Sequence, residues 1–553
     1  MSEGRDGIEH HDRRLSRRAV LRNAVAGSAL LVPFACRPAV RDAMSRVSAA
    51  GTTPASGSAR PFGTIAGRVA GEALEVPRGR TLRFDPNADT TLELTGNLIV
   101  RGRLEMRPRR GVEHVLRFVD VDESAFVGGG LDPLETDVGL WVVDEGALDI
   151  RGTRKDAWNR SGTSPSWRRR DELVVAPVRP GEFTVEPFRL GAPVPAFDHR
   201  RAEVLNLTRN VRIEGTPSGR AHVFIRSMRP QSIRHAALRH LGPRQARGDA
   251  TEGVLGRYSL HFHHCHHGSH GTVVDGVVVR DSGSHAFVPH MSHGITIRNA
   301  IAYEVFDDAY WWDFEDATHD LLIDRCIAAS VHFDPEHRGF RLAGFALGKG
   351  RNLELRHSVA FAMQGGSNAA GFVWPEAPSG LWRFTDNVAH NNRNNGIFVW
   401  QNTPEPHTIE RFTAYHNGGA GIVHGAYSNA YEYEGLDLGD QPEAIVLHAA
   451  GRLDPAGRPQ SWVDVRATSL LVVEHHLPSV DPVLFLRCRF DSGVTLDDGG
   501  GEPGPLDFVE CGLSSSDFTV VSLHPDTVVR VQDGTTAFEL TAAGVRDIPP
   551  FSA

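Results

Sequence analysis

The chain has 553 residues, 40% of them hydrophobic, with 57 Gly, 33 Pro and a formal net charge of -9. That composition fits a globular, turn-rich protein long enough for more than one structural unit and excludes a disordered chain. The acidic balance argues against nucleic acid as a partner, since phosphate binding needs a concentrated basic surface, but a local arginine stripe could still take an acidic polysaccharide.

Residues 1–50 read as an export signal. Ser16-Arg17-Arg18-Ala19-Val20-Leu21-Arg22 precedes a modest apolar run from Ala24 to Ala35, a pattern similar to a twin-arginine signal, with cleavage expected after Ala50. Cys36 is an alternative lipidation site, although Pro33-Phe34-Ala35 makes a poor lipobox. Beyond residue 50 no segment has the roughly 18 uninterrupted apolar residues of a membrane span, so the expected product is secreted or held at the cell envelope. Four cysteines remain, Cys265, Cys326, Cys488 and Cys511, too few for a disulfide framework. Cys488 and Cys511 sit in similar strand settings and could be stacked thiols or one disulfide.

Residues 51–62 have linker composition. From 63 to 165 comes a first β-rich unit, with short strands such as Thr91-Leu92-Glu93-Leu94, closing on Ala147-Leu148-Asp149-Ile150-Arg151. A connecting β segment fills 166–250. From 251 to 435 an irregular repeat appears: Ile295 to Ala302, Leu321 to Ala328, Leu353 to Ala360, Trp382 to Ala389 and Ile409 to Ala414 each give an alternating strand, a polar corner and a second short strand. Their starts lie 26, 32, 29 and 27 residues apart. A repeat of about one coil is what a parallel solenoid produces, because each rung buries its inward residues only against its neighbours. The expected fold is all-β, with the first unit followed by a right-handed parallel β-helix, and residues 436–553 as terminal coils and cap. Asn387, Asn391, Asn392, Asn394 and Asn395 suit its corners.

Nine of the 28 histidines fall between His261 and His293. In a strand, residues two apart share a face, so His261 and His263 project outward together while Leu260 and Phe262 turn into the core. His290 follows about one coil later. With Asp316 or Glu315 these side chains make a metal site of nitrogen and oxygen donors, holding calcium or a transition metal. The run from Asp307 to Asp316 adds carboxylates, with Asp313 and Glu315 on one strand face, suited to acid/base work on a glycosidic bond. Tyr310, Trp311 and Trp312 could stack on sugar rings, and Tyr258 and Arg257 could meet an anionic substrate. A purely structural alternative is that the acids hold nearby arginines and the histidines form structural hydrogen bonds.

Several of these strings, taken in order, resemble the G8-domain proteins related to cell migration-inducing and hyaluronan-binding protein and its transmembrane relative. They are Ala147-Leu148-Asp149-Ile150-Arg151-Gly152-Thr153-Arg154-Lys155-Asp156-Ala157-Trp158, then Trp167 with Asp171-Glu172-Leu173-Val174-Val175, then Leu207-Thr208-Arg209-Asn210-Val211, then Gly256-Arg257-Tyr258-Ser259-Leu260-His261-Phe262-His263, and finally Phe314-Glu315-Asp316. The resemblance covers about residues 60–330 and implies a G8-like first unit before a pectin-lyase-like solenoid, in an extracellular protein that binds or depolymerises hyaluronan. The tract from His264 to His270 is richer in histidine than that pattern, which leaves hyaluronan open beside other uronate-bearing or neutral glycans. Three functions are therefore carried forward: a glycoside hydrolase, a uronate lyase that removes the C5 proton, and a non-catalytic glycan-binding module.

Overall fold

The computed structural model describes residues 63–551 except 249, 312–315, 333–341, 367, 375–380, 400–406, 426–430, 449–459, 474–481, 501 and 503. The export-signal and linker readings, residues 1–50 and 51–62, lie outside the described residues, as do Trp312, Asp313 and Glu315.

Each coil lays one short strand in each of three sheets, and the next coil stacks on it in parallel. The first sheet has 18 strands, the second 14, and the third is built as blocks of six and eight. The last two strands of the first sheet, Thr536–Thr541 and Gly544–Asp547, pair antiparallel and end the stack. The protein is an all-β parallel solenoid.

The repeat units appear as strand pairs. Thr296–Arg298 is followed by Ile301–Phe306, Leu321–Asp324 by Ile327–His332, Leu353–Arg356 by Val359–Met363, Trp382–Thr385 by Val388–His390, and His407–Glu410 by Thr413–Tyr415. Between each pair one residue takes the left-handed conformation: Asn299, Arg325, His357, Asp386 and Arg411 have φ of 51, 55, 51, 56 and 49°. The corner geometry thus overrides residue type, for Arg and His occupy it as well as Asn and Asp. Of the asparagines expected there, Asn391 alone has positive φ, whereas Asn387 and Asn392 point inward and bind backbone of the preceding coil through Ser358 N (2.9 Å) and Met363 N (3.2 Å).

Inward positions of the first sheet form one continuous column, in register from Met106 through Ile150, Ile233, Val274, Ile297, Ile323 and Leu355. Every one of these is buried. At about 1.5–3 kcal/mol for each such side chain, the column supplies the stack's main cohesion. It begins within the stretch 63–165. That stretch therefore opens the solenoid and shares its core, since its strands also hold the first places of the other two sheets. Cys488 and Cys511 stack as free thiols on successive coils, with Cys488 N donating to Cys511 Sγ at 3.4 Å.

Between Arg151 and Val211 the chain leaves the coil and builds a side layer. Its strands Trp158–Asn159, Val204–Asn206, Leu173–Val175 and Glu186–Phe188 pair antiparallel and cover outward residues of the second sheet, Ala237, Val278, Ile301, Ile327 and Val359. This layer is pinned by buried polar contacts: Glu203 meets His390 at 3.1 Å and Arg160 at 2.7 Å, and Asn391 Nδ2 donates to the carbonyls of Arg179 and Glu182. Among the described residues no helix is long and apolar enough to cross a membrane.

Candidate metal centre on the third sheet

The histidines stand on the outer face of the third sheet, where the strands Leu260–His266 and Phe287–Ser292 run side by side with His261 opposite Val288 and His263 opposite His290. Alternation turns Leu260 and Phe262 into the core, both buried, and brings His261 and His263 out. The register then slips between His263 and His266, and His264 and His266 adopt φ of 51 and 47°. This bulge inserts one residue, so His264 joins His263 on the outer face, their rings stacked at 4.1 Å, while Cys265 takes the inward place. His264 was missed in the alternating pattern. The signal was present in the apolar spacing, because Phe262 and Cys265 are three apart where a regular strand needs two or four.

Three ring nitrogens converge. His263 Nδ1 lies 3.1 Å from His261 Nε2 and 3.2 Å from His290 Nδ1. The outer nitrogens fix the protonation. His261 Nδ1 is 2.9 Å from the carbonyl of Gly256, which only accepts, so that nitrogen carries the hydrogen and Nε2 presents a lone pair. His290 Nε2 faces the Asp316 carboxylate at 3.3 Å, so that nitrogen carries a hydrogen, and in the single-hydrogen tautomer Nδ1 presents its lone pair inward. A single His263 Nδ1 hydrogen cannot satisfy both lone pairs. A cation can, and nitrogens bound tetrahedrally at about 2.0–2.1 Å from a metal sit about 3.3 Å apart, close to these separations. Outer nitrogens tied to a carbonyl and a carboxylate are also what orients metal-bound imidazoles.

Burial disfavours the charged form of His261, His263 and His264. It pushes His261 and His263 well below the usual histidine range, helped by the charges of His290 on the former and His261 on the latter, and lowers His264 to about 4 with His290 contributing. Two overlapping groups result, His261 with His263 and His290, and His264 with His290 and Asp316, each with its ligand atoms within 4.8 Å of one another. His290 belongs to both. These residues are placed where they could hold a metal ion.

The remaining expected site residues are distributed differently. Arg257 does not reach the surface: it is fully buried, its Nε 2.7 Å from the equally buried Asp137 and its guanidinium over Trp141 at 4.6 Å. A guanidinium removed from water in this way needs its carboxylate, so it braces the turn whose Gly256 carbonyl orients His261 and is not free to orient a substrate. Tyr310 is likewise a core residue. It is stacked between Phe287 and Phe345 at 4.8 and 4.4 Å and links the two blocks of the third sheet through its own backbone. Tyr310 is a one-residue rung of the third sheet and not the start of an outward aromatic run, and Arg257 is drawn inward by its distant partner Asp137. Trp311 is half-buried on the outer face, parallel to His285 at 4.3 Å, and Tyr258 packs edgewise against Trp311 and His285 and at a tilt on His261. Trp312, Asp313 and Glu315 of the acidic run are outside the description, so the structure brings together His261, His263, His290 and Asp316 with Tyr258 and Trp311 beside them.

No protein-family model matches the chain, and no curated protein is similar to it.

Proposed function

We propose that this chain is an exported, metal-dependent enzyme that depolymerises a uronate-bearing glycan at the third-sheet histidines. The observation that carries the reading is the convergence of three imidazole nitrogens, with the outer nitrogens of His261 and His290 already held. The parallel solenoid, a fold consistent with polysaccharide-active proteins, and the ordered motifs resembling G8-domain proteins both support it. Nitrogen donors favour a transition ion such as zinc over calcium, which prefers oxygen. His261, His263 and His290 would hold it, with Asp316 orienting His290. Bound there, such an ion supplies a Lewis acid able to polarise a carboxylate or activate water. Trp311 lies half-buried beside these histidines, packed parallel on His285, and would form the aromatic edge of a sugar-binding surface.

A second reading, β-elimination, is favoured by one observation: the bulge puts the His264 ring on the outer face beside His263, where it could face a C5 proton without being one of the three converging nitrogens. The test for both is incubation of the purified protein with hyaluronan, chondroitin, pectate and capsular glycans, with and without chelator, while polymer size and unsaturated product are followed. Chelator-sensitive shortening supports the proposal, and unsaturated ends assign it to elimination. Binding with no shortening of any glycan would replace the enzyme by a glycan-binding module.

A further inference from the structure

A second site lies on another face. Where the first sheet turns into the second, the side layer leaves a cleft of about 780 Å³ whose wall includes Arg154, Trp158, Arg234, His235, Arg298 and Arg325. The carboxylates of this wall are engaged. Asp275 holds Arg298 at 2.9 Å, Asp324 meets Arg356 and His357 at 3.3 and 2.9 Å, and Asp156 accepts from Ser164 Oγ at 2.6 Å. Among the described residues Arg154, Arg234 and Arg325 have no carboxylate partner. Arg325 meets Asn299 Oδ1 and lies over Trp158 at 5.4 Å, and Arg234 reaches only Ser232 Oγ at 3.4 Å.

The register shows the same excess of positive charge. Along one outward column of the first sheet Arg234, Asp275, Arg298, Asp324 and Arg356 alternate in sign, each directly opposite the next. At the start of this run Arg151 stands opposite Arg234, two like charges face to face. Such a pair is unfavourable without a counter-charge. Behind the cleft, Arg209 is buried with its guanidinium on the carbonyls of Gly276, Asn206 and Thr208 and with Nη2 unpartnered. The neighbouring His235 responds: burial, then the charges of Arg209, Arg154 and Arg234 against that of Asp275, lower it to about 4.

The geometry points to this cleft as an anion site that takes carboxylated sugar units of an acidic glycan, at a place separate from the metal centre. Guanidinium forks bind carboxylates in two-point geometry, and the half-buried Trp158 indole in the wall gives a sugar ring an apolar surface. The excess charge stands by itself, while the identification of the anion as a sugar acid rests on the function proposed above.

The full chain, with chelator present, is titrated with a glucuronate-bearing tetrasaccharide, its carboxyl-reduced counterpart and inorganic phosphate, in wild type, Arg234→Gln/Arg325→Gln and His263→Ala. The acidic tetrasaccharide should bind at least about tenfold more tightly than the reduced one, the double variant should lose about tenfold or more, and His263→Ala should bind as wild type. Arg325 is exposed, Arg234 is part-buried and neither holds a carboxylate, so the double variant should melt close to wild type. Equal binding of the reduced sugar, or undiminished binding in the double variant, overturns the cleft, and phosphate binding tighter than the tetrasaccharide overturns its assignment to a sugar acid. A wild type that binds here yet shortens no glycan would sink the proposed enzyme and leave this site standing.

Discussion

Two groups of buried histidines occupy this solenoid, and they differ in what their nitrogens face. In the later coils the imidazoles are placed one at a time. His390 meets Glu203, His416 Nδ1 donates to the Val178 carbonyl at 2.8 Å, and His424 Nδ1 lies 2.7 Å from the Tyr433 hydroxyl. On the third sheet His261, His263 and His290 turn bare nitrogens toward each other. Burial alone therefore says little about role, because both groups are withdrawn from water. What separates a structural histidine from a ligand is whether its lone pair meets a protein donor or another lone pair.

The widest separation between the two groups should come from metal retention. His263→Ala removes the nitrogen that touches both neighbours and should abolish stoichiometric zinc binding, a loss well beyond the ten- to hundredfold typical of an outer-shell change. His424→Ala should leave it unaltered. Elemental analysis of the two proteins after equilibrium dialysis reads this directly. Equal metal in both would dissolve the distinction.

The Glu203 contact should show the opposite behaviour, a large effect on stability with none on metal. Burial by itself would raise this carboxyl, but the charges of His390 and Arg160 overcome it and hold the folded-state value at about 2, against 4.5 for the free group. A depressed carboxylate stabilises the fold above the free value and loses that contribution as pH falls toward the folded one. Wild type should thus weaken between about pH 4.5 and 2. Glu203→Gln, which removes the carboxylate that Arg160 and His390 both contact, should cost about 3 kcal/mol at neutral pH and flatten that acid limb, measured by urea unfolding. A smaller effect is expected at Asp316, half-exposed and 3.3 Å from His290 Nε2: Asp316→Asn should weaken metal binding by about ten- to hundredfold, read by competition with a chelator of known affinity.

These contrasts also mark what the sequence could reveal. The solenoid was legible because its inward residues recur once per coil, and Ile297, Ile323, Leu355 and Phe384 fall in one register. The pairing of His261 with His263 and the return of His290 one coil later were legible for the same reason. Three things were not. Residues 63–165 read as a separate unit because their coil lengths are irregular, although their strands stack in the same sheets. The bulge that swings His264 outward depends on backbone conformation at His264 and His266, which residue type does not dictate. Arg257 looked like a surface cation because nothing near it in the chain announces Asp137, 120 residues earlier.

The smallest expected change tests the structural group at its weakest member. His407 is fully buried, neither ring nitrogen has a hydrogen-bond partner among the described residues, and burial lowers it to about 3. Its ring stacks on Tyr431 at 4.9 Å with an interplanar angle of 26° and stands edge-on to Trp374. A neutral imidazole so placed acts as an aromatic plate carrying two desolvated nitrogens. His407→Phe keeps the plate and removes the nitrogens, so relief of desolvation should offset the slightly larger ring and stability should move by no more than about 1 kcal/mol, in the stabilising direction. Unfolding midpoints of the two proteins decide it. A loss above about 2 kcal/mol would mean that His407 has a polar partner after all, and then buried histidines of the later coils could not be treated as packing elements without checking each nitrogen.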